Sequence, residues 1–179
     1  MTDTMTRIAS GLERAFAENG FASPSVGDLR DAAGVSLRTL YKYVPSREDM
    51  VYAALEHRHR RYLKLVFGDL PADPEQALGE ILDRVASWME TETTRGCLFH
   101  AAVASAPHDE KLFDLLKEHK TQVAGLAASA TGLAGCEIEL SLLLEGLTQT
   151  WPLHGDRSVE RAKLLAKLLW TAHADTPAK

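Results

Sequence analysis

The sequence predicts an all-α fold: an N-terminal helix-turn-helix domain on three helices, followed by a C-terminal helical domain. Three observations carry this. Apolar residues recur at helical spacing along the chain, and alternating strand-type runs are absent. Helix-start signals, a serine with an acid three residues on, stand at Ser25-Asp28 and Ser46-Asp49. Between them two short helices are joined through Gly34-Val35-Ser36, a turn too tight for a longer connection.

The elements follow in order. A first helix spans 4–19, where Ile8, Leu12, Ala15 and Phe16 make one apolar stripe. It stops at Gly20, which suits a left-handed C-terminal position, and Phe21 supplies the accompanying hydrophobic contact. Ser25 caps the second helix, whose Val26, Leu29 and Ala33 face inward, and Gly34 ends it. Ser36 caps a third helix, "LRTLYKY", and Pro45 closes it. Ser46 starts a long helix to about 67, with Val51, Leu55, Arg58, Tyr62 and Leu65 along one side. "GDLPADPEQ" is rich in turn residues and marks a boundary between domains 1–67 and 68–179. Asp73-Pro74-Glu75 then opens a helix: cap, proline in the first turn, acid near the positive end. Helices are expected over 74–93, 96–106, 109–131, 136–153 and 157–173. The breaks fall at Arg95-Gly96, Pro107-His108, Gly132–Gly135 and His154–Asp156. The tail "DTPAK" is expected to fray.

Charge is unevenly spread. The formal net charge is -5, which alone argues against nucleic acid. Residues 1–67, however, hold ten Lys and Arg against eight Asp and Glu, a balance of +2. The remainder holds ten against seventeen, a balance of -7. The two cysteines, Cys97 and Cys136, form no disulfide framework. There is no signal-like apolar start and no apolar run long enough to span a bilayer, so a cytoplasmic protein is expected.

The third helix explains the basic front. It is only two turns long and marginal in isolation. Leu29, Ala33, Val35 and Leu40 clamp it inward, which leaves its other face to a partner. In a helix-turn-helix that face enters the DNA major groove. Ser36, Leu37, Arg38 and Thr39 stand at its leading end, and Arg38 can pair with guanine O6 and N7. Tyr41, Lys42 and Tyr43 can donate to phosphates, which positions without specifying. Ser25 and Val26 open the second helix and Ser46 and Arg47 the fourth, and both amino ends suit phosphate.

Residues 8–55 resemble the DNA-binding domain of the tetracycline-repressor (TetR) family. The stretch "FAENGFASPSVGDLRDAAGVSLRTLYKYVPSREDMV" carries the likeness, through Phe16, Gly20-Phe21, Ser25-Val26, Asp28-Leu29, Ala33–Ser36, Thr39–Tyr41 and Pro45–Glu48. It departs from the family pattern at Arg30, at Leu37-Arg38 and at Val44. The resemblance implies a homodimeric transcriptional repressor, not an enzyme. A small molecule in its C-terminal domain would respace the reading helices and release a near-palindromic operator.

The C-terminal half offers candidates for both roles. Trp88, Phe99, Phe113, Leu116, Leu147 and Trp151 sit at helical spacing and suit either a core or an apolar pocket. His100 and His119 are candidate polar anchors. No basic cluster is visible there, so the effector is expected to be apolar or aromatic. Leu140, Leu144 and Leu147 on one helix, with Leu165, Leu168 and Leu169 on the next, suit a four-helix dimer interface. No metal is expected, because His57 and His59 are two apart and no zinc-type spacing exists; no cofactor is expected either. Cys97 follows a glycine at a helix start, where a thiol could be activated. Two rival readings remain: a helical protein-interaction module using "LRTLYKYV", and a small all-helical enzyme using scattered His and acids.

Overall fold

The structure is a computed structural model and describes residues 3–92 and 96–174. The break expected at Arg95, the last residue of the helix expected to reach 93 and the tail 175–179 lie outside the described residues. Among the described residues there are nine helices and no strand. They are α1 (Asp3–Asn19), α2 (Val26–Ala33), α3 (Leu37–Tyr43), α4 (Arg47–Phe67), α5 (Pro74–Glu92), α6 (Leu98–Ser105), α7 (Glu110–Thr131), α8 (Glu137–His154) and α9 (Asp156–Ala174). The all-α prediction is borne out.

The chain forms two compact units. One comprises Met1–Tyr62 and Leu98–Leu116, the other Leu63–Cys97 and Lys117–Lys179. The sequence suggested one cut at 67/68. Instead α6 and the start of α7 pack with α1–α4, and the last turn of α4 counts with the second unit.

In the first unit Ile8, Leu12 and Phe16 of α1 are fully buried with Leu29, Leu40, Met50 and Leu55. Phe21 stacks on Phe16 with ring centroids 5.0 Å apart, the contact expected after Gly20. α1 and α2 approach closely at Gly11, where a Cβ would stand 2.2 Å from the Ala32 carbonyl oxygen. Arg58, expected on the apolar side of α4, is buried there with its charge satisfied by Glu13. Leu65, from the same expected line, is exposed.

In the second unit α5, α8 and α9 pack around Ile81, Leu82, Met89 and Leu140, with Leu133 beside them. Asp73 caps α5 by accepting from the Gln76 amide at 2.8 Å. Arg84 holds the preceding turn: its guanidinium donates to the carbonyls of Leu65, Gly68 and Asp69 while Nε pairs with Glu80 at 2.7 Å. The charge is thereby spent inside the fold. α8 and α9 form a hairpin through Gly155, and Pro152 stands near the C-terminal end of α8, where it has no N–H to give to the helix ladder.

Candidate nucleic-acid interface

The reading surface is built from caps upward. Ser25 takes an extended conformation, and its hydroxyl accepts from the Asp28 amide while Asp28 accepts from the Ser25 amide at 2.8 Å. Those donors hold the Asp28 carboxyl below its usual range, with the Ser25 hydroxyl as the first cause. Gly34 ends α2 with φ 64°, a conformation that a side chain disfavours, and its amide returns to α2 carbonyls. Two residues later Ser36 caps α3, accepting from the Thr39 amide at 3.1 Å. The turn is therefore fixed by hydrogen bonds at both ends.

Leu29, Ala33 and Leu40 are buried across that turn, as the sequence required, and Val35 is half-buried. The other side of α3 is open. Arg38 and Lys42 are exposed, and Leu37 and Tyr41 are 43% and 42% exposed, high for such side chains. Leu37, Arg38, Tyr41 and Lys42 share one side of the helix, three and four residues apart. Thr39 and Tyr43 are half-buried. The Thr39 hydroxyl lies 2.8 Å from that of Ser36, so both are oriented before any ligand arrives. Lys42 stands 5.8 Å above the Tyr43 ring.

The flanking residues are engaged differently from a free phosphate clamp. Ser46 caps α4 through Asp49, accepting from its amide at 3.0 Å and donating to its carboxylate at 2.8 Å. Arg47 donates to the Phe21 carbonyl at 2.8 Å and lies over the Phe16 ring. It staples α4 to the α1–α2 connection. Val26 is half-buried and Ser25 exposed at the open end of α2. Arg30 forks onto its neighbour Asp31 at 2.8 and 2.9 Å.

The expected effector residues divide between the units. Phe99 and Leu116 are buried in the first, where Phe113 is 56% exposed and His100 is also exposed. Trp88, His119 and Leu147 are buried in the second, and Trp151 is half-buried. A cavity of about 400 Å³ does lie between α8 and α9, and of the eight residues Leu147 alone lines it. Arg157 and Arg161, one turn apart, stand at its edge, a basic pair that the sequence reading did not register.

The expected interface leucines also divide. Leu140, Leu144 and Leu147 point into the second unit's own core and offer no surface. Leu165 and Leu168 are exposed, Leu169 half-buried. The exposed apolar side chains of α8 are Ile138, Leu142 and Leu153, which sequence reasoning passed over. Among the described residues no group of three His, Cys, Asp or Glu could hold a metal, and no helix is long and apolar enough to cross a membrane.

Such an arrangement, a capped and clamped helix-turn-helix in front of a separate helical unit, is that of a DNA-binding regulator. Residues 8–54 match the family model for bacterial regulatory proteins of the tetR family. Solved structures agree in fold over nearly the whole chain. A TetR-family transcriptional regulator from Streptomyces coelicolor superposes with a TM-score of 0.82 at 18% identity, covering 97% of this chain and 91% of its own. A TetR transcription regulator from Haloarcula marismortui gives 0.76 at 19%, covering 96% and 98%. Reduced NemR from Escherichia coli gives 0.75 at 18%, covering 93% and 97%. No curated protein matches the chain.

Proposed function

We propose that this protein is a ligand-responsive homodimeric repressor, cytoplasmic and without enzymatic activity. It binds a near-palindromic operator through α3 and is released by a small, largely apolar or aromatic effector. The observation that carries the reading is the outward side of α3. A seven-residue helix capped at Ser36 and clamped through Leu40 presents Arg38, Tyr41 and Lys42 together to solvent. A helix too short to stand alone has been fixed rigidly with its cations and phenols outward, which suits a fixed polyanion.

Two copies would set their α3 helices about 34–36 Å apart, or a multiple of it, so each half-site repeats the other in reverse. An effector acts by binding better to the spacing that does not fit DNA, and shifts the population by that difference alone. The split of charge supports the division of labour: the basic front meets phosphate while the acidic rear is repelled by it.

The test is selection of bound duplexes from a random pool, with the winner titrated at two salt concentrations. A near-palindromic winner whose affinity falls steeply with salt is expected. No enrichment at low salt, both for the purified protein and for protein refolded free of ligand, would overturn the reading.

A further inference from the structure

The open side of α3 is not wholly polar. Leu37 begins that helix, next to the Ser36 cap, and is 43% exposed. Tyr41, 42% exposed, follows it one turn on. The two make an apolar line beside the cationic line of Arg38 and Lys42. The cations have evident counterparts in phosphate and guanine. The leucine needs one of another kind.

A leucine side chain neither donates nor accepts a hydrogen bond. Set against a phosphate or a polar base edge, it would strip water from that group and offer nothing in exchange. The leading end of a reading helix lies at base edges in the major groove. Among the groups that base pairs display there, one alone is apolar: the methyl on C5 of thymine. Leu37 therefore has a single favourable counterpart. The turn that carries it is fixed before DNA arrives. Ser36 accepts from the Thr39 amide at 3.1 Å, and the two hydroxyls lie 2.8 Å apart. A side chain held on such a frame can select a base rather than slide past it.

The same contact does not depend on the base being thymine. Cytosine methylated at C5 carries its methyl at the same place on the pyrimidine ring. Thymine and 5-methylcytosine differ in the group at C4 and in the purine opposite, and both differences are read by hydrogen bonds. Leucine forms none, so it senses the methyl and is blind to the base that bears it.

We propose that Leu37, backed by the Tyr41 ring, reads a pyrimidine C5-methyl group in each half-site, accepting thymine or 5-methylcytosine and discriminating against unmethylated cytosine. The proposal rests on the operator-binding reading and names what that surface recognises beside the guanine taken by Arg38. Where a half-site holds cytosine at this position, methylation at C5 turns a poor operator into a good one. Binding then responds to the methylation state of the DNA as well as to its sequence.

The test uses the duplex selected from the random pool and the full-length protein. Each thymine is replaced in turn by uracil, which lacks only the methyl. At one position per half-site, close to the base pair that Arg38→Ala relaxes, affinity should fall about fourfold, the effect of burying one methyl group. At that position 5-methylcytosine should bind better than cytosine by a similar factor. Leu37→Ala should keep its melting behaviour, because the side chain stands largely outside the core, and bring both ratios to one. Leu37→Met stays apolar at similar volume and should preserve them. Failure to enrich any duplex overturns the operator-binding reading and this one with it. A duplex that is bound but tolerates uracil at every thymine leaves the operator reading standing and overturns the methyl contact. Equal affinity for cytosine and 5-methylcytosine overturns the blindness to the base. Ratios that persist in Leu37→Ala overturn the assignment to Leu37.

Discussion

One oxygen of the Glu13 carboxylate lies 2.6 Å from Nδ1 of His57, with both residues buried in the first unit. The other oxygen accepts from Arg58 at 3.0 Å and Arg61 at 2.8 Å. A single acid on α1 thus holds three basic side chains on the middle turns of α4. The carboxylate thereby ties α1 to α4. Removing Glu13 takes from His57, Arg58 and Arg61 the carboxylate they share, and from the buried Arg58 a counter-charge. Glu13→Ala is expected to lower stability by about 3–5 kcal/mol, read as the shift in urea midpoint at constant m-value. Replacing Glu13 with His57 and Arg58 together by apolar residues of similar volume should cost less than Glu13→Ala alone. The opposite order would show that the ion cluster contributes more than its desolvation removes.

Arg38 and Lys42 should separate on DNA. Both are exposed on α3, but Arg38 is in its first turn and Lys42 in its last. Arg38→Ala is expected to lose about 1–3 kcal/mol per half-site and to relax preference at one base pair. Lys42→Ala should weaken all sequences alike and flatten the salt dependence by about one unit per half-site. Competition titration against single-base operator variants at several salt concentrations distinguishes them. If Lys42→Ala changes base preference instead, the assignment of the two roles along α3 is reversed.

The features legible in the sequence were those decided within a few residues. Ser25 with Asp28, Ser36 with Thr39 and Ser46 with Asp49 each bond three positions away, so the caps and the turn at Gly34 could be read directly. The outward side of α3 followed from them. What escaped reading was settled by partners far along the chain. Glu13 meets residues 44 and 45 positions on, and Arg47 meets the Phe21 carbonyl 26 positions back. On α8 the leucines run around more than half of the helix. Helical spacing locates them but cannot say that Leu140, Leu144 and Leu147 face α5 and α9 while Leu142 faces out. That choice is made by packing.

Tyr52 and Asp109 should give the first unit a pH signature at both extremes. The Tyr52 hydroxyl donates to Asp109 at 2.6 Å, and the other Asp109 oxygen caps α7 by accepting from the Leu112 amide. Burial first, and then the Asp109 hydrogen bond, push the Tyr52 hydroxyl up to about 12. The same hydrogen bond is the main cause holding the Asp109 carboxyl below its usual range. For Asp109 the stabilisation is present above the ordinary carboxylate value, about 4, and is lost as pH falls through its lowered value. For Tyr52 it is present below about 10 and is lost as pH rises from there towards its folded value. Tyr52→Phe should remove the alkaline loss and shrink the acid loss, leaving the Leu112 cap in place. Urea midpoints measured from acid to alkaline pH for both proteins test this, and identical profiles would refute it.

Gly11 and Gly79 make opposite predictions from the same substitution. Both lie inside helices, and exchanging a helical glycine for alanine normally stabilises by up to about 1 kcal/mol. At Gly79 in α5 the new methyl would meet nothing within 4 Å, so Gly79→Ala should raise the melting temperature. At Gly11 it would stand 2.2 Å from the Ala32 carbonyl oxygen and 2.6 Å from the Ala33 Cα. These are backbone atoms at the end of α2, held by the Gly34 turn that aims α3, and they cannot rotate away. Gly11→Ala must push α1 and α2 apart. Overpacking of this kind costs about 1–3 kcal/mol even where side chains can yield, so a loss at or above that range is expected. Operator affinity should fall with it, because the displaced helix is the one that sets α3 in place. Thermal melts of the two variants beside operator titrations decide the matter. A Gly11→Ala protein as stable as Gly79→Ala would mean that α1 and α2 pack less closely than the structure has them.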